Sequence, residues 1–291
     1  MKEGFPQDRD PRLEHVETGV CSLASEKHPE SNEDAWLNDP ERLIFGVFDG
    51  MGGHAAGKVA SASARDYASA RLAELGPDLD RTQAENSLRE ILEDADGEVL
   101  RKSHADPAYY EMGTTATVVK IFRSDGRLWA AVGNVGDSRL YRFAAGGKLE
   151  QVTLDDGPIR EHFHNEEEAR NMQKKLSRDP RTFTYPEQNL FSARNRITQC
   201  LGGGRTEPAV QSLEVSPGEV LLLTSDGIHD NLTDEEIELL SRAEGLSAED
   251  VAAGLAESAR KRSLEKKEMP ERASLRARAD DMTAVVLRIP S

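Results

Sequence analysis

Seven carboxylates have the types and placing to do chemistry in this chain: Glu33, Asp34, Asp49, Asp137, Asp226, Asp280 and Asp281. Asp49 ends the apolar run "LIFGVFD" and Asp226 ends "EVLLLTSD", each followed by glycine. Asp280 and Asp281 stand just before "MTAVVLRI", Asp137 sits in the tight turn "VGDS", and Glu33 with Asp34 lies in "SNEDAW". In an antiparallel sheet the end of one strand lies beside the start of its neighbour, so these acids are placed to gather on one rim. Carboxylates brought together repel and raise one another's pKa. Hard divalent cations remove the conflict, and an oxygen-only donor set suits Mg²⁺ or Mn²⁺ rather than zinc. Taken singly, each Asp-Gly is equally well a turn. Taken together, two apolar strands that stop at the same dipeptide, with an acidic pair ahead of a third strand, favour a shared centre.

The glycine-rich stretch after Asp49 invites two nucleotide readings, and both fail. Gly52 to Lys58 spells most of a phosphate-binding P-loop, but Val59 stands where the magnesium-binding hydroxyl is needed. Gly50, Gly52 and Ala55 fit a dinucleotide fingerprint, whose sequel is a second strand ending in an acid about 20 residues on. Here "ASASARDYASARLAEL" instead continues one helix to about Leu75.

The elements that must position the acids can be read along the chain. Strands are expected from Val16 to Ala24 and from Leu43 to Phe48, with the loop "SEKHPESNEDAW" between them. A helix follows Gly53, and a second runs from about Thr82 to Ser103 with Leu88, Ile91, Leu92, Ala95 and Val99 on one face. "GTTATVVKIF" and "RLWAAVGNVG" read as a hairpin around "RSDG", and "SRLYRF" with "KLEQVT" repeats the pattern, which together suggests a meander. Residues 155–196 are highly charged without a strand period and read as an insertion, helical near "NEEEARNMQKKL". A buried strand "EVLLLTSDG", helices near Asp234 to Ala243 and Ala248 to Arg262, and the strand "TAVVLRI" complete the order. Strands and helices come in blocks rather than in alternation, which favours mixed α+β with mainly antiparallel sheets covered by helix pairs.

Composition sets the outer limits. The 291 residues, 37% hydrophobic, can fill one large core, and a net charge of -16 from 53 acids against 37 bases argues against nucleic-acid or anionic-membrane partners. Cys21 and Cys200 lie far apart without a CxxC, which suits a reducing cytoplasm. The polar opening lacks a signal-peptide core, and no apolar run is long enough to span a membrane. Residues 1–15 are expected to be loosely ordered, ahead of a single domain over 16–291.

Six motifs in order, "NEDA", "VFDGMGGH", "GTTATVV", "GNVGDSRLY", "LTSDGIHDNL" and "DDMTAVVL", resemble the metal-dependent protein phosphatases of type 2C, above all the bacterial members. The resemblance covers about Val16 to Ile289. It implies a four-layer sandwich of two antiparallel sheets flanked by pairs of helices, with a two-metal centre at one end. It also implies hydrolysis of phosphoserine and phosphothreonine in proteins, in opposition to a serine/threonine kinase, by a monomer. Carried over motif by motif, Asp49 resembles the carboxylate shared by both ions, Mn²⁺ or Mg²⁺, and Glu33 with the carbonyl of Gly50 completes one of them. Asp226 and Asp280 resemble ligands of the other ion, Asp137 with Asp226 the pair for a weaker third, and Asp34 a carboxylate that holds metal-bound waters. Asp281 stands where the family usually has Asn and reads as a supporting residue. The implied chemistry is attack on phosphorus by water that the ions activate.

Two positions depart from the family pattern. Met51 replaces the histidine of animal members, leaving His54 or a water as the proton donor to the leaving group. Pro29 stands where the family usually has the phosphate-gripping Arg; Lys27 is the nearest substitute, with His28 beside it, though neither offers a planar fork. The segment "ARKRSLEKKEMPERASLRARADD" is a further source of cations but reads first as a solvated helix and loop. Residues 155–196 occupy the family's flap position, and His162 and His164 within it read as surface residues. Two rival functions stay open: a phosphoprotein-binding domain of the same fold with little turnover, and a phosphatase for small esters.

Overall fold

The β-rich runs pair into two five-stranded antiparallel sheets in the computed structural model of the chain, which describes residues 16–290 apart from His54, Ala145 and Glu244. One sheet has the order β1 (Glu17–Leu23), β12 (Met282–Arg288), β11 (Val220–Thr224), β8 (Arg139–Phe143) and β9 (Leu149–Gln151). The other runs β10 (Ala209–Glu214), β7 (Arg127–Val135), β6 (Ala116–Ser124), β3 (Ile44–Phe48) and β2 (Ala35–Asp39), and a two-stranded ribbon pairs β4 (Gly50–Met51) with β5 (Gly113–Thr114). The continuous apolar run in β3 is explained by cover on both faces: Phe45 and Val47 enter the core between the sheets, while Ile44 and Phe48 point into a core shared with helices. Strands β11 and β12 divide in the same way, with Leu221, Leu223, Val285 and Leu287 between the sheets and Leu222, Ala284 and Val286 on the far side.

Helices α1 (Ala55–Leu72) and α2 (Arg81–Ala105) cover the second sheet, and α7 (Asp234–Ser241) and α8 (Ala248–Glu268) cover the first. The small residues Ala56, Ala60, Ala64 and Ala68 form the buried stripe of α1, and Leu88, Leu92, Ala95 and Val99 that of α2. Asp80 caps α2 by accepting from the amides of Thr82 and Gln83, and reciprocal capping boxes open α7 at Thr233 and α8 at Ser247. These layers are the four expected. Residues 158–192 carry α3 (Pro158–His162), α4 (Glu166–Leu176) and α5 (Tyr185–Ser192), which enclose a small core of their own made by Leu154, Ile159, Ala169, Leu176, Phe183 and Phe191.

The expected meander is only half present. The hairpin β6–β7 closes over Asp125 and Gly126 as read, but β8 and β9 belong to the other sheet, so the chain crosses between sheets at Gly136 to Ser138. Strands β2 and β10 were not anticipated, because "AWLND" and "AVQSLE" are short, and neither presents a continuous apolar face. The short helix α6 (Asp226–His229) also escaped the reading of "TSDG" as a strand end followed by a turn. The N-terminal residues 1–15 lie outside the described residues.

Leu92 is fully buried and lies against Gly133, where an added Cβ would come within 2.6 Å of its Cδ1. Leu92→Ala is therefore expected to destabilise the fold by about 2–5 kcal/mol through lost burial and a cavity, read from urea unfolding.

Candidate metal centre

Strand register brings the predicted acids to one rim. Ala35 pairs with Phe48 across β2 and β3, which sets Asp34 beside Asp49 at the start of one strand and the end of the other. In the opposite sheet Thr224 pairs with Ala284, so Asp226 lies just past the end of β11 and Asp280 just before β12. Asp137 sits in the crossing between the sheets, within the same electrostatic neighbourhood.

Asp49 is fixed through its backbone. Its amide donates to Thr115 Oγ1 at 3.0 Å, and its carbonyl accepts from the Thr115 amide and from Thr114 Oγ1, each at 2.9 Å. The side chain is thereby left to face the rim. Asp34 is fixed through its carboxylate: Oδ2 accepts from Ser225 Oγ at 2.7 Å and from Thr283 Oγ1 at 2.6 Å, both from the opposite sheet. Its Oδ1 and the Oδ1 of Asp226 are shielded from solvent and have no hydrogen-bond partner among the described residues. Two such orphaned anionic oxygens fit a centre built for cations. Asp281 spends both oxygens on the amides of Ser25 and Glu33, each at 2.6 Å, with His28 Nδ1 3.7 Å from Oδ1. It thus pins the loop that presents Glu33 and Asp34.

Glycine is required at two close approaches. A Cβ on Gly50 would lie 2.2 Å from the Gly57 carbonyl oxygen and 2.5 Å from that of Glu33, so the backbone can pass between α1 and the acidic loop only without a side chain. A Cβ on Gly227 would lie 1.9 Å from the Asp281 carbonyl oxygen, which sets the distance between the Asp226 and Asp280 segments. Glu33 is buried, its Oε2 lying against Gly57 and its carbonyl accepting from Ser61 Oγ at 2.6 Å.

The electrostatics match a crowd of like charges. Burial, then the charges of Asp34, Asp226, Asp280 and Asp137, push Asp49 well above the usual carboxylate range. Burial pushes Asp34 up to about 7 and, with Asp226, lifts Asp280 to about 8. Asp137 is raised by burial and by Asp226, Asp155 and Asp230. No three carboxylate, imidazole or thiolate groups among the described residues already form a ligand set around one point.

Arg278 was not singled out from the sequence, and it reaches the middle of the site. Its Nη1 donates to Asp226 Oδ2 at 2.6 Å and Asp230 Oδ2 at 2.5 Å, and its Nη2 lies 2.8 Å from Asp280 Oδ2. Arg276, two residues earlier, is buried and donates to the carbonyls of Leu176, Arg178 and His229. The basic segment is therefore not simply solvated: its last two arginines face inward. Asp230 also accepts from Arg194 Nε at 2.9 Å, which ties the end of the flap to the rim. Lys27 is exposed on its loop, where its amide donates to Ser25 Oγ, and Pro29 beside it is exposed. His54 lies outside the described residues, and His162 and His164 are exposed on the flap.

The sequence model described as protein phosphatase 2C matches residues 24–271. The chain is 29% identical over 194 residues to "Serine/threonine protein phosphatase PstP" of Mycobacterium tuberculosis, covering 67% of this chain and 33% of that protein. It thus spans about a third of the length of that relative. It is 27% identical over 212 residues to "Serine/threonine phosphatase stp" of Listeria monocytogenes, covering 72% of this chain and 76% of that one. The solved structure of serine/threonine phosphatase Stp1 from Staphylococcus aureus superposes with a TM-score of 0.73 at 25% identity, over 99% of this chain and 100% of the other. No helix among the described residues is long and apolar enough to cross a membrane.

The raised carboxylates carry a stability signature with a definite sign. A group lifted by folding keeps its proton in the folded state at a pH where the unfolded chain has lost it, so stability falls as pH rises toward the lifted value. The metal-free protein is therefore expected to melt at a higher temperature as pH is lowered from about 8.5 to about 6.5, the window set by Asp34 and Asp280. Below that window His229, which burial and then the charge of Arg139 hold well under its ordinary value, acts with the opposite sign. Saturating Mn²⁺ should abolish the rise, and a metal-free melting temperature that climbs with pH across the window would refute this account.

Proposed function

Because the chain belongs to the protein phosphatase 2C family, a family of metal-dependent enzymes, we propose that it hydrolyses phosphoserine and phosphothreonine in proteins at a binuclear Mn²⁺ or Mg²⁺ centre. The observation that carries this reading is the gathering of Asp34, Asp49, Asp137, Asp226 and Asp280 on one rim, with two buried carboxylate oxygens left unpartnered. Asp49 would be the ligand shared between the ions, Glu33 and the Gly50 carbonyl would complete one of them, and Asp226 with Asp280 would hold the other. Asp137 and Asp226 would form the weaker third position. Ions bound there supply an activated water at neutral pH and positive charge for the phosphoryl oxygens.

The chain's own residues do the rest. Thr114 and Thr115 hold Asp49 from behind, so the shared carboxylate needs little reordering when charge arrives. Asp34, held through Oδ2 by Ser225 and Thr283, keeps Oδ1 free to accept from a water and orient it. His54 is the candidate proton donor to the leaving alkoxide, and Lys27 the candidate cation on the entry loop in place of the Arg missing at Pro29. Phosphorylated proteins are the substrates, a serine/threonine kinase acts in opposition, and the setting is the cytoplasm.

Hydrolysis of a phosphothreonine peptide by the purified protein, with Mn²⁺, with Mg²⁺ and with EDTA, tests the reading. Metal-dependent release is expected, and Asp49→Asn should abolish it while raising the melting temperature of the metal-free protein by removing one repelled charge. Full activity in Asp49→Asn would eliminate this mechanism. If metal binds but nothing is released, the domain has kept its ions and given up catalysis. Lys27→Ala should raise KM for phosphopeptides; an unchanged KM removes that lysine from the site.

A further inference from the structure

Arg278 is built into the acidic rim rather than resting on it. Its amide donates to Asn231 Oδ1 at 3.0 Å, and Asn231 Nδ2 donates back to its carbonyl at 2.9 Å, so the backbone is clamped to the chain just past α6. Asn231 Nδ2 also donates to the Gly227 carbonyl at 2.8 Å, which fixes that clamp to α6 one residue after Asp226. From this anchor the guanidinium spans Asp226 Oδ2 at 2.6 Å and Asp280 Oδ2 at 2.8 Å, and Nη1 also reaches Asp230 Oδ2 at 2.5 Å. The arginine side chain keeps 26% of its exposure, so it borders solvent as well as the acids.

The two carboxylates bridged by the fork are the pair assigned above to one ion, and the inference rests on that assignment. A guanidinium satisfies carboxylate lone pairs through charge-assisted hydrogen bonds, and a divalent ion needs the same oxygens. Both cannot hold Asp226 and Asp280 at full strength. The geometry also offers a route for exchange. Asp226 Oδ1 is buried and has no partner among the described residues, so an ion can engage it while Oδ2 still faces the arginine. Asp230 supplies a carboxylate outside the assigned ligand set, already in contact with Nη1 and already anchored on its other oxygen by Arg194.

We propose that Arg278 is a built-in counter-cation that occupies the Asp226 and Asp280 half of the centre in the metal-free protein and competes with the divalent ion for it, withdrawing toward Asp230 when the ion binds. It acts as a positioning residue that keeps the acids assembled without metal, and its presence weakens metal affinity at that half. The same residue thus stabilises the empty centre and opposes its filling.

Calorimetric titration of Mn²⁺ into chelator-stripped wild type, R278K and R278Q, with melting curves of the stripped proteins, tests the proposal. R278Q is expected to bind Mn²⁺ at one site roughly tenfold or more tightly than wild type and to melt lower without metal. R278K keeps the charge but not the fork and should fall between them in affinity. Unchanged or weaker Mn²⁺ binding in R278Q overturns the competition, because an arginine that only shaped the ligands would weaken binding when lost. Should R278Q fail to fold, R278K carries the test, and an affinity equal to or below wild type overturns the proposal there. A wild type that takes up no Mn²⁺ at all instead defeats the metal-centre assignment, and the inference falls with it.

Discussion

Repulsion among carboxylates is the constraint on which one whole end of this molecule depends. Asp34, Asp49, Asp137, Asp226 and Asp280 are near enough for their charges to lift one another above the usual range, and burial strengthens each repulsion by excluding water. A group of that kind stays together only if something outside it fixes every member. Here the outside support comes through the backbone for some members and through the carboxylate for others, as Ser225 and Thr283 hold Asp34. Asp49 is gripped through its own amide and carbonyl by Thr114 and Thr115, and Glu33 through its amide by Asp281 and its carbonyl by Ser61. Asp49 and Glu33 therefore keep their places without relying on a bound ion, which is what a ligand set needs before its ions arrive.

The sandwich makes this possible because its two sheets contribute opposite halves of the rim and are latched where they meet. Ser225 and Thr283 from one sheet hold Asp34 from the other, and Thr283 is joined in turn to Ser22 Oγ at 2.8 Å. The third contributor is the crossing at Gly136 to Ser138. Asp156 accepts from the Gly136 amide at 2.9 Å and donates its own amide to the Gly136 carbonyl at 3.0 Å, so the start of the flap braces the turn that carries Asp137. Movement in any one layer would be felt at the rim, because no layer holds a complete set of acids.

Much of this was legible in the sequence because strand ends are legible. An apolar run that stops at Asp-Gly fixes where a carboxylate emerges, and strands covered on both faces, such as β3 and β11, stand out as continuous apolar stretches. The face of α2, the start of α8 and the hairpin at Asp125 and Gly126 were readable for similarly local reasons. What could not be read is set by contacts distant along the chain. Nothing local says that β8 changes sheets after β7. The threonines of "GTTATVV" were seen as strand formers, yet Thr114 and Thr115 act as clamps because Asp49 lies across from them. Arg276 and Arg278 sit in a run of bases whose local pattern is that of a solvated segment, and only the fold turns that pair inward.

Those inward arginines decide how the flap communicates with the centre. Asp230 is pushed up by burial, but Arg194 and Arg278 outweigh that and hold it below the usual range, so it stays ionised among neighbours that are lifted. It carries a guanidinium on each oxygen, one from the flap and one from the rim. Arg194 also stacks on Phe191 at 4.0 Å, and the Arg276 guanidinium lies 5.3 Å from the centroid of the same ring while donating to the carbonyls of Leu176 and Arg178. The far end of the flap is thus fastened to the rim by cations, while its start is tied to the Gly136 backbone through Asp156. Such a joint would respond to charge: were Arg278 to withdraw from Asp226 and Asp280 as proposed, it would lean more on Asp230, the carboxylate that also holds Arg194 and the flap.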